Sequence, residues 1–289
     1  MVKRVLDLPD HGTMLVSTDI QGNARDFRRM VALFEATLAE DPDAMLVFTG
    51  DLVHGPEIDV EAWPDHLGSF YVGDSTAVLE EAYELSRRYP QKVHYLLGNH
   101  EHAHIGGPIV GKFFLDEAAR LEQIMGADRT ARMNEWMETW PLVAIAEKAG
   151  IVLLHAAPHA AIRSRTDVDD LSLDSLRDLS PLDVPSRSIL GALLWARSTS
   201  RARARAFLRA LGDGLTTAIF GHDVVREGYA VDDPHRLCVS TSFGCFDGDK
   251  VYVQWDLAEP AASAHDVATR GLRRLWPEAP PVYLEAALR

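Results

Sequence analysis

The chain has 289 residues, of which 47% are hydrophobic and 25% are charged, so it is long enough to fold around one large core. Its formal net charge of −14 at pH 7 argues against nucleic acid or an anionic membrane as the main partner, because phosphate groups would be repelled. The two cysteines, Cys238 and Cys245, give neither a disulfide framework nor the spacing of a zinc knuckle.

Five short apolar runs along the chain each lead into a polar residue. The runs are rich in Leu or β-branched residues and are bounded by Gly, Asp or His, which predicts buried strands followed by loops. In open α/β sheets, ligands bind beyond the carboxyl ends of strands, so we expect these strands to bring their terminal residues to one rim. The runs are MLVST, MLVFTG, VHYLLG, IVLL and TAIFG, and the residues that end them are Asp19, Asp51, Asn99, His155 and His222.

The segments between the first three strands have apolar residues at helical spacing. Residues 23–41 predict a helix capped by Asn23, and residues 74–90 predict a second helix that begins in an Asp-Ser-Thr cluster. The alternation of strand and helix predicts parallel pairing with right-handed crossovers. Beyond His222, the runs CVSTSFG and VYVQWDL predict an antiparallel pair that completes a second sheet.

Three stretches lie outside this pattern. Residues 56–73 combine Pro, Gly and aromatic residues, which is typical of an irregular loop that shapes substrate access. Residues 103–140 predict two amphipathic helices that form either a lid or partner face or, through their aromatic residues, part of the core. The arginine-rich segment 197–211 is interpreted as a solvated helix face, with Arg197 as the exception.

The strand-end residues suit a binuclear metal site. Carboxylate, amide and imidazole ligands together favour Mn or Fe, and Zn is also compatible. Two neighbouring cations lower the pKa of a bridging water and stabilise both ends of an in-line displacement at phosphorus. Taken singly, Asp19, Asp51 and Asn99 also suit turns or helix caps, and His155 and His222 also suit a core. Their order along the chain favours the metal hypothesis, which predicts metal-assisted hydrolysis of a phosphoester.

The polar motifs together resemble one enzyme family. The sequence is similar to the calcineurin-like metallophosphoesterases in DIQGN at 19–23, GDLVHG at 50–55, GNHE at 98–101, the strand end at His155 and GHDVVREGY at 221–229. LLWAR at 193–197 resembles the corresponding segment of the phosphoprotein phosphatase branch, the serine/threonine phosphatases. The resemblance implies an α/β fold, a metallophosphoesterase-type four-layer sandwich in which two mixed β-sheets are flanked by helices.

The resemblance also implies one domain over residues 1–289. Its core spans about 13–255, with a helical insertion at about 103–140 and a C-terminal extension at 256–289. The opening segment MVKRVLDLPDHG lacks the apolar run of a secretory signal, and no run approaches the length of a membrane span. We therefore expect a cytoplasmic location.

Individual residues take implied roles from the same resemblance. The implied metal ligands are Asp19, Gln21, Asp51, Asn99, His155 and His222. The first two bind one ion, Asp51 bridges, and the last three bind the other. His100 is the implied general acid that protonates the leaving oxygen. Arg197 stands where a phosphate-binding group approaches the metals. The implied cofactors are two divalent or trivalent ions, Mn or Fe, with Zn also compatible.

Three positions depart from the family pattern. Gln21 replaces a histidine, so it is either a weaker, neutral ligand or a solvated or capping amide. His54 and Gly55 replace an Asp-Arg pair that orients the catalytic imidazole and binds phosphate, and we expect His54 to line the substrate pocket instead. HAA at 155–157 replaces His-Gly-Gly. The neighbouring His102, His104 and His159 are interpreted as solvated or supporting imidazoles.

Three functions remain open at this point. The first is a phosphomonoesterase of the serine/threonine protein phosphatase type, which acts on phosphorylated protein with a metal-bridging hydroxide. The second is hydrolysis of a small phosphoester such as a dinucleoside polyphosphate, which the GDLVHGP string also resembles. The third is a metal-binding scaffold with little or no activity, suggested by the changes at Gln21, His54 and Gly55.

Overall fold

The computed structural model describes residues 3–173 and 176–284, which form two β-sheets with helices packed on them. The strands are β1 Val5–Asp7, β2 Thr13–Ser17, β3 Met45–Phe48, β4 Val93–Tyr95, β5 Val143–Ala146, β6 Ile151–Leu154, β7 Thr217–Phe220, β8 Tyr229–Asp233, β9 Arg236–Val239, β10 Val251–Asp256 and β11 Leu272–Arg274. The helices are α1 Ala24–Glu40, α2 Ser75–Arg88, α3 Asn99–His102, α4 Glu117–Met125, α5 Ala127–Met137, α6 Thr166–Asp169, α7 Val184–Arg187, α8 Ile189–Trp195, α9 Arg201–Leu211 and α10 Ala264–Gly271. Among the residues described, no helix is both long and apolar enough to cross a bilayer.

The first sheet has five strands in the order β11-β10-β2-β3-β4. Strands β2, β3 and β4 are parallel, and helices α1 and α2 connect them, as the sequence predicts. Both helices begin at the expected caps: Asn23 accepts a hydrogen bond from the backbone N–H of Asp26, and Asp74 accepts one from that of Ala77. These local signals were sufficient because a cap depends only on residues three positions apart.

The second sheet has six strands in the order β1-β5-β6-β7-β9-β8. The predicted antiparallel pair beyond His222 is wrong. Strand β9 pairs with β7 and β8 in this sheet, whereas β10 pairs with β2 and β11 in the first sheet. The intervening loop crosses between the sheets, where the backbone N–H of Thr18 donates to the Thr241 hydroxyl. Two successive strands with a Gly-rich connection look alike in sequence whether or not they pair with each other.

The inner faces of the two sheets pack against each other and form one layer of the core. Val16 and Val47 of the first sheet belong to the same buried cluster as Leu153 and Ile219 of the second. The alternate residues of the same strands, such as Phe48, face the flanking helices. Burial on both faces explains why the strands read as continuous apolar runs. The arrangement is the predicted four-layer sandwich of two mixed sheets flanked by helices.

The insertion at 103–140 does contain two helices, α4 and α5, and its aromatic residues pack inward. The ring of Trp136 lies 5.3 Å from that of Tyr83 and 5.3 Å from that of Tyr95, and Trp140 stacks on Tyr95 at 5.1 Å. These contacts join α5 to α2 and β4, so this part of the insertion belongs to the core. The turn before α4, which contains Lys112, instead reaches the rim of the sheets.

Glu101 ties together the two loops that follow β3 and β4. Its carboxylate accepts hydrogen bonds from the backbone N–H groups of Asp51 at 2.9 Å, Leu52 at 2.7 Å and Gly98 at 3.1 Å. A side chain at Gly98 would place its Cβ 2.3 Å from Oδ1 of Asp51, so only glycine permits this approach. The sequence analysis assigned no role to Glu101, and the structure shows that it fixes the backbone on which Asp51 and Asn99 stand.

We expect Glu101→Gln to destabilise the protein by about 2–3 kcal/mol, because an amide has one acceptor oxygen and its NH2 group would face backbone donors. Chemical denaturation measures the change. Glu81→Gln is the matched control, since the Glu81 carboxylate is partly exposed and pairs with exposed Arg28, so its loss should cost about 0.5 kcal/mol or less. Equal effects of the two substitutions would contradict the role of Glu101.

Candidate metal centre

Strained backbone marks the rim where the strands end. The non-glycine residues with positive φ in the described ranges are Asp19 (46°), Gln21 (42°), Asp51 (55°), His54 (68°) and His222 (65°). Each conformation costs roughly 1–3 kcal/mol for a residue with a side chain, so the surrounding structure must enforce it. All five are residues that the sequence singled out. Four of the five, all except His54, line one cleft between the two sheets.

Asp51, His155 and His222 bring ligand atoms within 4.8 Å of one another. Nε2 of His155 lies 2.8 Å from Oδ1 of Asn99, 3.1 Å from Nδ1 of His222 and 3.4 Å from Oδ1 of Asp51. Four of the six residues predicted to bind metal therefore meet at one point, although the strands that carry them belong to different sheets.

The hydrogen bond made by Nδ1 of His155 determines which ring nitrogen carries the proton. Nδ1 of His155 lies 3.0 Å from the carbonyl oxygen of Thr49, which can only accept, so the ring proton is on Nδ1. Burial lowers the pKa of His155, which keeps the ring neutral and leaves a lone pair on Nε2. That lone pair faces the oxygens of Asn99 and Asp51. Such a set of converging acceptors fits a bound cation, with Thr49 in the orienting position typical of metal-bound histidine.

Asp19 lies beside this cluster rather than in it. Both oxygens of Asp19 accept the backbone N–H of His222, at 3.1 and 3.0 Å, which ties the end of β2 to the end of β7. Burial raises the pKa of Asp19 to about 7, and the charge of Asp51 adds to this effect. Burial likewise raises the pKa of Asp51 to about 7. Two carboxylates in one buried space create a demand for positive charge.

The side-chain oxygen of Gln21 is engaged by a protein group. The ammonium of Lys112 donates to Oε1 of Gln21 at 2.7 Å. Lys112 sits on an exposed turn of the insertion, but its ammonium reaches into the cleft and stands 3.4 Å from the centre of the Phe243 ring. No sequence pattern indicated Lys112, because it lies 91 residues from Gln21 and no local motif surrounds it.

His100 belongs to a row of three imidazoles that ends at a carboxylate. Nδ1 of His54 lies 2.9 Å from Nδ1 of His100, and Nε2 of His54 lies 3.0 Å from Nε2 of His104. Nδ1 of His104 lies 2.9 Å from Oε1 of Glu122 on α4. We call these four residues the imidazole chain. We use the name metal cluster for the four converging residues Asp51, Asn99, His155 and His222. The other end of the imidazole chain faces this cluster, where Nε2 of His100 is 3.7 Å from Oδ2 of Asp51.

This row of imidazoles gives the structural positions of His54 and His104. His54 is buried beneath His100, outside the residues that line the cleft around the metal cluster, so its predicted contact with substrate gains no support from its position. Burial lowers the pKa of His54 well below its ordinary value, so the ring is neutral. His104 is buried and hydrogen-bonded at both ring nitrogens, as a supporting imidazole rather than a solvated one.

Arg197 reaches the same cleft from the end of α8, as expected. Its guanidinium donates to the Asp223 carboxylate at 2.9 Å and to the carbonyl oxygen of His222 at 3.3 Å, and it is largely exposed. The cleft has a volume of about 380 Å³ and contains Asp19, Gln21, Asp51, Asn99, His100, Lys112, Trp195, Arg197 and His222 in its lining. An anionic group that enters it meets the metal cluster, Lys112 and Arg197.

Comparison with known proteins agrees with this architecture. The structure is similar to a protein serine/threonine phosphatase from Saccharomyces cerevisiae, with 16% identity, a TM-score of 0.58, and coverage of 87% of this chain and 76% of that one. It is also similar to a cold-active protein-tyrosine phosphatase from a psychrophilic Shewanella species, with 13% identity, a TM-score of 0.54, and coverage of 87% and 76%. A search of curated proteins gave no match. The sequence profile of the calcineurin-like phosphoesterases matches residues 12–238, which is most of the chain. The protein therefore belongs to the calcineurin-like phosphoesterase family and is a phosphoester hydrolase.

Proposed function

We propose that this protein is a metal-dependent phosphomonoesterase that removes phosphate from phosphorylated protein side chains. The observation that carries the proposal is the convergence of Asp51, Asn99 and His155 on one point, with His100 beside it. A cation held there by these residues and His222 supplies positive charge to the phosphoryl oxygens and lowers the pKa of water. Its donor set of oxygen and imidazole nitrogen suits Mn or Fe, and also Zn.

Different residues of the protein would carry out the separate steps of the hydrolysis. Arg197, at the mouth of the cleft, would bind phosphate oxygens and orient the phosphorus for in-line attack, and a cation held by Asp51, Asn99, His155 and His222 would supply positive charge to the phosphoryl group. The oxygen of water bonds to phosphorus as the ester P–O bond breaks, and the electron pair of that bond goes to the leaving oxygen. His100 delivers a proton from Nε2 to this oxygen. The products are an alcohol and inorganic phosphate.

A phosphorylated side chain fits the cleft better than a polyphosphate. The described mouth holds two basic groups, Lys112 and Arg197, against the formal net charge of −14 for the whole chain. Apolar Ile109 and Val224 are exposed beside them, so a peptide has surface to contact on either side of its phosphate. A dinucleoside polyphosphate spreads several charges over a longer distance than the two basic groups span, and the net negative charge of the chain disfavours the additional phosphates.

Metal binding is expected to stabilise the protein through His155. Free Mn at about 100 times its Kd should stabilise the wild-type protein by about 2.7 kcal/mol, seen as a rise in Tm. His155→Asn should abolish this rise, because it removes the ligand atom at the centre of the cluster. His159→Asn is the matched control, since His159 is partly exposed and its Nδ1 contacts only the Thr199 hydroxyl among the described residues. A metal-dependent rise that survives in His155→Asn would contradict the site.

The role of His100 as general acid is tested with substrates whose leaving groups differ in acidity. The wild-type protein with Mn should hydrolyse a phosphoserine peptide, an aryl phosphate with an acidic phenol and, more slowly, a dinucleoside polyphosphate. His100→Asn should lower turnover of the phosphopeptide by about 10² or more and that of the activated aryl ester much less, because an acidic phenol leaves without a proton. Preference for the dinucleoside would transfer the proposal to small phosphoesters, and inactivity on all three substrates with metal bound would favour the scaffold.

A further inference from the structure

The half of the site that would hold a first metal ion is arranged differently from the half that contains His155. A cation there needs free donor atoms from Asp19, Gln21 and the second oxygen of Asp51. The only side-chain oxygen of Gln21 already accepts from Lys112 at 2.7 Å, and its amide nitrogen has no lone pair available for a metal.

Lys112 supplies a positive charge at the same place. Its ammonium interacts electrostatically with both Asp51 and Asp19, and it stands over the face of the Phe243 ring at 3.4 Å. The aromatic face and the Gln21 oxygen hold the ammonium from two sides. One of its three N–H donors is used by Gln21, so others remain for an anionic ligand.

We propose that Lys112, held by Gln21, takes the place of the first metal ion, so that the centre binds one cation and uses a lysine ammonium as its second positive charge. The expectation of two metal ions is thereby replaced by one ion and one resident side chain. This inference rests on the proposed function for the role of the ammonium, which is to donate to a phosphoryl oxygen during hydrolysis. Its stoichiometry does not depend on activity.

The test counts metal ions as well as turnover. Wild-type protein dialysed against Mn should retain one ion per chain by elemental analysis. Lys112→Met should keep one ion and lower kcat/KM for a phosphopeptide by about 10², the loss expected for one donor to a developing charge. Lys112→Met combined with Gln21→His should bind a second ion, because the ammonium is gone and an imidazole lone pair replaces the amide. Lys148→Met, on an exposed turn, is the control and should change neither quantity.

Two tightly bound ions in the wild-type protein would overturn the inference, since no space for the ammonium would remain. A double variant that still binds one ion would overturn it too. If the wild-type protein binds one ion and hydrolyses none of the substrates, the proposed function fails, whereas the substitution of an ammonium for a metal stands on the ion counts.

Discussion

Nε2 of His155 and Oδ1 of Asp51 face each other at 3.4 Å where the two sheets meet, and the proton of the His155 ring is on the other nitrogen. His155 is held in this orientation by Thr49, and Asp51 is held by the backbone that Glu101 ties together. These two acceptors repel each other when the carboxylate is ionised, and a nearby positive charge removes that repulsion. Asp19, Gln21, Asp51 and His222, which have strained backbone at the strand ends, also line this buried space. The rest of the site answers this requirement for charge.

The proposed centre has positive charge in two forms that differ in physical character. A cation at Asp51, Asn99 and His155 would be bound reversibly and would depend on its concentration in solution. Lys112 is part of the chain and is carried there by the turn before α4. A resident ammonium cannot be removed by a chelator, but it offers hydrogen bonds rather than open coordination positions. Gln21 stands where the family pattern has a histidine. Its amide oxygen suits the Lys112 ammonium, whereas an imidazole lone pair at this position would suit a metal ion.

The insertion at 103–140 has a larger part in the site than its distance from the motifs suggests. It contributes Lys112 to the cleft and His104 and Glu122 to the imidazole chain, while Trp136 and Trp140 anchor it to the core. Two apparent losses from the family pattern, at Gln21 and His54, therefore have partners in the same segment. This pairing favours a working site over a degenerate one, since a decayed site needs no compensating contacts.

The sequence by itself determined seven of the eleven described strands, namely β2, β3, β4, β6, β7, β9 and β10, together with the first two helices and the four residues that meet at the metal cluster. These features depend on local signals: apolar runs buried on both faces, caps three residues away, and polar residues at strand ends. The partner of β10 was not determined locally, because a strand that joins the other sheet has the same pattern as one that forms a hairpin. The contacts of Gln21 with Lys112 and of His104 with Glu122 were decided only by the tertiary structure. Packing of the insertion against α2 and β4 brings those side chains to the site, and no periodicity or motif records which distant residues a packed turn will meet.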